Sequence, residues 1–184
     1  MPLAAVNVLE GDTVVVVYAV ENRGHETMYF GIGGHPGFRV PLEEGKRFED
    51  YRLTFARPSR PCRVLLSDSY MLSGHDAPYP LEDGATLPLR HGLFDDDAII
   101  LKNFERTMTL SAGEGTHGLT LSCPQMRYLG IWHQPKTDAP YVCLEPWASL
   151  PSRQDVVEDL TQQNDLVSLE PGQHYENRWT ITIF

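Results

Sequence analysis

Two ionisable side chains in this sequence each stand directly before a proline, and they lie far apart along the chain. His35 falls in Gly31-Ile32-Gly33-Gly34-His35-Pro36-Gly37-Phe38, and Glu145 falls in Tyr141-Val142-Cys143-Leu144-Glu145-Pro146-Trp147. A residue preceding proline is driven out of the helical region, because the ring Cδ crowds its N–H and Cβ. Both side chains are therefore presented from stiff, extended backbone. An imidazole and a carboxylate held in this way can act as general acid and general base.

Each residue also has a plainer reading. If Tyr141 to Glu145 is a strand, Tyr141, Cys143 and Glu145 share one face, while Val142 and Leu144 face the core. A glutamate closing such a strand is either a functional group or an exposed terminus held by a salt bridge, since carboxylates are seldom buried without partners. His35 is either functional or a structural histidine in a tight turn. The three glycines before it permit close approach of backbone to a ligand. The string is neither a dinucleotide fingerprint, having proline where the third glycine belongs, nor a P-loop, lacking Gly-Lys-Ser/Thr.

The elements that must position these residues read as strands. Short runs rich in Val, Ile, Thr, Tyr and Phe, separated by Gly, Pro, Asp and Asn, predict an all-β, largely antiparallel sandwich. Strands are expected over 12–21, 27–33, 50–56, 62–66, 97–102, 107–111, 117–122, 127–133, 140–145 and 174–184. Asn22-Arg23-Gly24-His25 reads as the turn of a hairpin joining the first two. One short helix is expected within 151–160; the 14 prolines disfavour long ones. Residues 67–92 read as a long, turn-rich excursion of the kind often packed over a site.

Composition narrows the function classes. The 184 residues suit a single domain spanning 1–184. Fifteen Lys and Arg against 25 Asp and Glu give a net charge of −10, which opposes nucleic acid and anionic membranes. Arg52, Arg57, Arg60 and Arg63 read as a solvated face rather than a basic patch. Three cysteines without CxxC spacing form no disulfide framework or zinc motif and point to a reducing, cytoplasmic location. Asp95-Asp96-Asp97 lacks the spacing of a calcium loop. His25, His75, His91, His117, His133 and His174 are scattered without ligand spacing. No metal is expected, and no Gly-x-Ser-x-Gly elbow supports serine catalysis.

The strings Gly-Gly-His-Pro-Gly-Phe at 33–38 and Cys-Leu-Glu-Pro-Trp at 143–147 resemble those of the aldose 1-epimerase (galactose mutarotase) family, of the LacX-like kind. Compatible segments run through 29–42, 92–101, 128–151 and 168–184. The resemblance implies part of a galactose mutarotase-like supersandwich and an isomerase of carbohydrate metabolism that needs no cofactor. It implies His35 as general acid and Glu145 as general base on a hexose. It also implies an aspartate on the sugar hydroxyls, Asp97 or its neighbour Asp96. Trp147 offers an apolar face, either to a sugar ring or to the core. The family's first third supplies further strands and a His-Gly-x-x-Arg segment that helps hold the sugar. No such segment precedes His35, and His91-Gly92 matches it only locally, so the sequence reads as the C-terminal part of such a protein. Two alternatives follow: a non-catalytic carbohydrate-binding sandwich, or a β-domain whose uncovered edges pair with another chain. The same edges lead us to expect a homo-oligomer.

Overall fold

Gly11 and Asp12 form a two-residue loop between the first two strands, with Gly11 at φ +60° and Glu10 paired to Thr13. Glycine is suited to this left-handed position. In the computed structural model, which describes residues 3–154, 156–163 and 165–184, that hairpin opens a seven-stranded antiparallel sheet. Its order is β1 (Leu3–Glu10), β2 (Thr13–Glu21), β15 (His174–Ile183), β11 (Gly118–Ser122), β10 (Thr107–Ala112), β5 (Tyr51–Phe55) and β8 (Thr86–Pro88). A six-stranded sheet has the order β4 (Gly37–Arg39), β13 (Tyr141–Trp147), β12 (Tyr128–Trp132), β9 (Ile99–Lys102), β6 (Cys62–Leu66) and β7 (Leu72–Pro78). A ribbon of β14 (Val167–Leu169) and β3 (Met28–Phe30) completes the strands.

Strand alternation explains the layering. Leu53, Leu110 and Leu119 lie in register across β5, β10 and β11 and point inward, as do Phe55, Met108 and Leu121. The intervening threonines face out, where Thr109 and Thr120 share a hydroxyl hydrogen bond of 2.9 Å. The inner face of the second sheet supplies Ile99, Leu101, Leu129, Ile131, Val142 and Leu144 to the same core. The two sheets therefore pack face to face, as the all-β reading required. The outer face of the six-stranded sheet carries a smaller apolar cluster of Val64, Leu72 and Ile100, with Tyr128, Trp147 and Leu150 against it. The candidate site lies on this outer face.

Three local expectations need correction. Residues 22–25 turn the chain, but not into a hairpin: β2 pairs with β1 and β15, and Met28–Phe30 pairs with Val167–Leu169. The buried Asn22 explains the divergence, since its Nδ2 donates to the carbonyls of Glu26 and Leu169, each at 2.8 Å. No helix forms among the described residues of 151–160; Asp155 lies outside them. The 67–92 excursion holds two strands, β7 and β8. β1 was not foreseen at all; every one of its residues is exposed.

The layering has a thermodynamic consequence. Leu110→Ala, at a fully buried position, is expected to cost about 2–5 kcal/mol in urea unfolding. Val157→Ala, fully exposed outside the strands, should stay within about 0.5 kcal/mol. Equal losses at the two positions would contradict this layering.

Candidate active site

His35 and Glu145 meet because backbone hydrogen bonds strap residues 32–36 along the end of β13. The Leu144 N–H donates to Pro36 O (3.1 Å), Gly34 N–H to Pro146 O (2.9 Å), and Ala148 N–H to Ile32 O (2.8 Å). The Trp147 carbonyl accepts from Arg127 N on the β12 side (2.9 Å), so the backbone of Pro146 faces the strap instead. Proline's missing N–H therefore removes no bond to β12. From the far side of the strap, Tyr18 Oη donates to Gly33 O at 3.1 Å.

The glycines serve this strap more than they serve a ligand. A Cβ on Gly33 would lie 2.6 Å from the Trp147 side chain and 2.9 Å from Pro146 O; one on Gly34 would lie 2.6 Å from the Trp179 ring. Without side chains, both residues can lie close against neighbouring groups of the protein. Gly31, Gly33 and Gly34 still border a depression of about 360 Å³, together with His35, Trp147 and Ser149.

Glu145 Oε1 lies 3.3 Å from His35 Nε2, with 4% of the glutamate side chain exposed against 62% of the histidine. A buried carboxylate thus faces an accessible imidazole. Glu145 pairs with Gly130 on β12, whose absent side chain makes room for the Trp147 ring and the Glu145 Cβ. The His35 ring stands edge-on to Trp132, with centroids 5.9 Å apart. Cys143 shares the Glu145 face, as alternation predicts. His35, Cys143 and Glu145 each offer a donor atom, all within 4.8 Å of one another.

Burial pushes the Glu145 carboxyl up to about 7; His35 opposes the rise and the charge of Asp97 adds to it. Asp97 is thus close enough to be felt electrostatically. It holds a left-handed backbone at φ +68°, unusual for a residue other than glycine, and its Oδ1 accepts the Ala98 N–H at 2.8 Å. Asp96 is exposed and lines a different depression, with Asp95, Arg63, Asp68 and Lys136. Trp147 packs on the outer apolar cluster and also borders the depression.

Sequence reasoning missed Trp132, although alternation along β12, with Leu129 and Ile131 inward, puts it on the site face, where it stands opposite Cys143. It also took the other histidines as scattered. Two of them meet: His91 Nδ1 lies 3.1 Å from His133 Nε2, and His133 is fully buried. Of the arginines read as a solvated face, Arg57 pairs with Glu105 and Arg63 donates to Ala98 O.

No protein-family model matches the chain. Sequence relatives do. Protein LacX (chromosomal) of Lactococcus lactis subsp. lactis is 31% identical over 188 residues, covering 98% of this chain and 61% of LacX. The plasmid LacX of the same organism gives the same figures. A galactose mutarotase related enzyme from Lactobacillus acidophilus superposes with a TM-score of 0.90 at 26% identity, covering 99% of this chain and 61% of that one. The chain is a LacX homologue with a galactose mutarotase-like fold. A galactose mutarotase-like protein from Lactobacillus casei ATCC 334 superposes on this LacX homologue at 0.87 with 28% identity, over 99% of this chain and 63% of that one. The homologue thus spans about three-fifths of the length of these relatives.

The buried carboxyl has a testable linkage. Its value in the fold lies above the ordinary 4.5, so the native state favours the protonated acid. That stabilisation is complete below about pH 4.5 and is lost as pH rises through about 7. Glutamine mimics the neutral acid. In metal-free buffer, Glu145→Gln is therefore expected to stabilise the protein at pH 8, by up to about 3 kcal/mol. The gain should shrink toward zero near pH 4. Urea melts at the two pH values check this, and a pH-independent difference would contradict it.

Proposed function

We propose that the chain carries the acid–base pair of an aldose 1-epimerase and interconverts the α and β anomers of a hexose. One observation carries the reading: His35 Nε2 and Glu145 Oε1 lie 3.3 Å apart beside an open depression bordered by Trp147. The two oxygens that exchange protons in mutarotation, the O1 hydroxyl and the ring oxygen, are bonded to the same anomeric carbon. An acid and a base serving them must therefore stand close together, as these side chains do.

In this reading Glu145 takes the O1 proton while His35 delivers a proton to the ring oxygen. The C1–O5 bond breaks and the aldehyde forms. Rotation about C1–C2 presents its other face, and reversed proton transfers close the ring. Burial suits Glu145 to the work, because a carboxyl whose pKa is raised toward neutrality is a stronger base than an ordinary one. Asp97 would bind a sugar hydroxyl, and the indole of Trp147 would cover an apolar face of the ring. These steps use side chains alone, with no cofactor. Three free cysteines suit a reducing compartment, and we place the protein in the cytoplasm, acting in carbohydrate metabolism. Among the described residues no helix is long and apolar enough to cross a membrane.

A binding-only reading keeps the depression beside His35 and Trp147 as a sugar site without turnover. Polarimetry of α-galactose equilibration separates the two. The unmodified chain should exceed the spontaneous rate, and His35→Asn and Glu145→Gln should each lower the excess by about 10²-fold or more. Bound sugar with only the spontaneous rate would leave the binding module. Undiminished rates in both variants would overturn the assigned pair.

We further propose that the chain self-associates through β1, which ends its sheet with one edge unpaired among the described strands. Leu3 to Leu9 is uncharged and exposed throughout, so a two-fold mate could lie antiparallel to it with Val6 at the centre and Leu3 opposite Leu9. Sedimentation should show a dimer that Val6→Lys disrupts. A stable monomer at tens of micromolar would refute the pairing.

A further inference from the structure

Cys143 lies on the site face beside Glu145, and the proposed proton transfers leave it without a task. It is buried, and its thiol is pushed up to about 11 chiefly by burial. Its Sγ lies 3.5 Å from where a Cβ of Gly37 would be, so the strap leaves that sulfur uncovered by any side chain at Gly37. The thiol shares its strand face with Glu145, and its sulfur, Glu145 Oε and the His35 ring nitrogen form one cluster within 4.8 Å.

We propose that His35, Cys143 and Glu145 form a site for a thiophilic divalent cation, Zn²⁺ above all, which occupies the pair in competition with the sugar. The donor chemistry selects the ion. One imidazole nitrogen, one sulfur and one carboxylate oxygen suit zinc or cobalt, whereas magnesium and calcium demand a shell of oxygens. The spacing also fits. Donor atoms of a tetrahedral zinc centre stand about 3.3–3.8 Å apart, as metal–ligand distances of 2.0–2.3 Å require. His35 Nε2 and Glu145 Oε1 already stand at 3.3 Å, and the Cys143 sulfur lies within 4.8 Å of both. Three protein ligands leave a fourth position open toward the depression beside His35, for water or a sugar oxygen. On binding, the Cys143 thiol proton passes to solvent and the thiolate ligates the metal. The bound ion would hold the lone pairs that mutarotation needs, so it inhibits rather than assists. The binding claim stands on geometry alone; the inhibition rests on the mutarotase reading.

The test uses the chain freed of metal with a chelator and titrated with Co²⁺. A thiolate-to-cobalt charge-transfer band should rise to one equivalent and be bleached by Zn²⁺, while Mg²⁺ does nothing. Cys143→Ser should lose the band, and Cys62→Ser, on a different strand, should keep it. Should Cys143→Ser fail to fold, His35→Gln alters an exposed side chain and should weaken Co²⁺ binding at least about tenfold. In polarimetry, Zn²⁺ should slow the unmodified chain reversibly, chelator restoring the rate, while Cys143→Ser should be insensitive relative to its own metal-free rate. No band in the unmodified chain, or an equal band in Cys143→Ser, would overturn the site. A band without mutarotation under any condition would keep the metal site and overturn the mutarotase reading instead.

Discussion

The backbone strap of residues 32–36 on β13 is the constraint on which the site depends. Three hydrogen bonds, donated by Gly34, Leu144 and Ala148, run the loop beside Glu145 and set His35 against its carboxylate. The strap demands glycine at 33 and 34, because the Trp147 and Trp179 side chains and Pro146 O occupy the space a Cβ would need. It also accommodates proline at 146, where a strand turned toward another full ladder would lose a hydrogen bond. Residues that look like a flexible glycine loop are thus the most tightly specified part of the site.

A second constraint follows from burial. The Glu145 carboxyl sits almost wholly out of water, with His35 Nε2 3.3 Å from its Oε1. Ionising it in that setting opposes folding, and the same opposition makes it a better base. The surrounding sandwich absorbs the penalty through a core shared by both sheets, while the small outer cluster of Val64, Leu72 and Ile100 supports Trp147 from below. Site and core therefore occupy opposite faces of one sheet, and strand alternation alone keeps them apart.

Much of this was legible in the sequence, for identifiable reasons. Period-two patterning exposed most strands and correctly put Val142 and Leu144 inward with Cys143 and Glu145 outward, since that pattern is local. The pre-proline positions singled out His35 and Glu145. What depended on distant partners was not legible. β4 is three residues long and exists because β13 pairs with it. The 22–25 turn leads away from β2 because Asn22 reaches Leu169. The His91–His133 contact joins residues 42 apart. β1 was legible but overlooked: Gly11-Asp12 is a hairpin signal, although the Leu3–Glu10 run lacks clean alternation.

The central claim is that one buried carboxylate and one accessible imidazole, strapped together, move protons at an anomeric carbon. Magnetisation exchange between the α and β C1 resonances of [1-¹³C]galactose measures that event without a coupled reaction. The account predicts exchange faster than in buffer when the unmodified chain is added, and exchange at the buffer rate when Glu145→Gln replaces it. Exchange no faster than buffer with the unmodified chain, or equally fast with the variant, would contradict it.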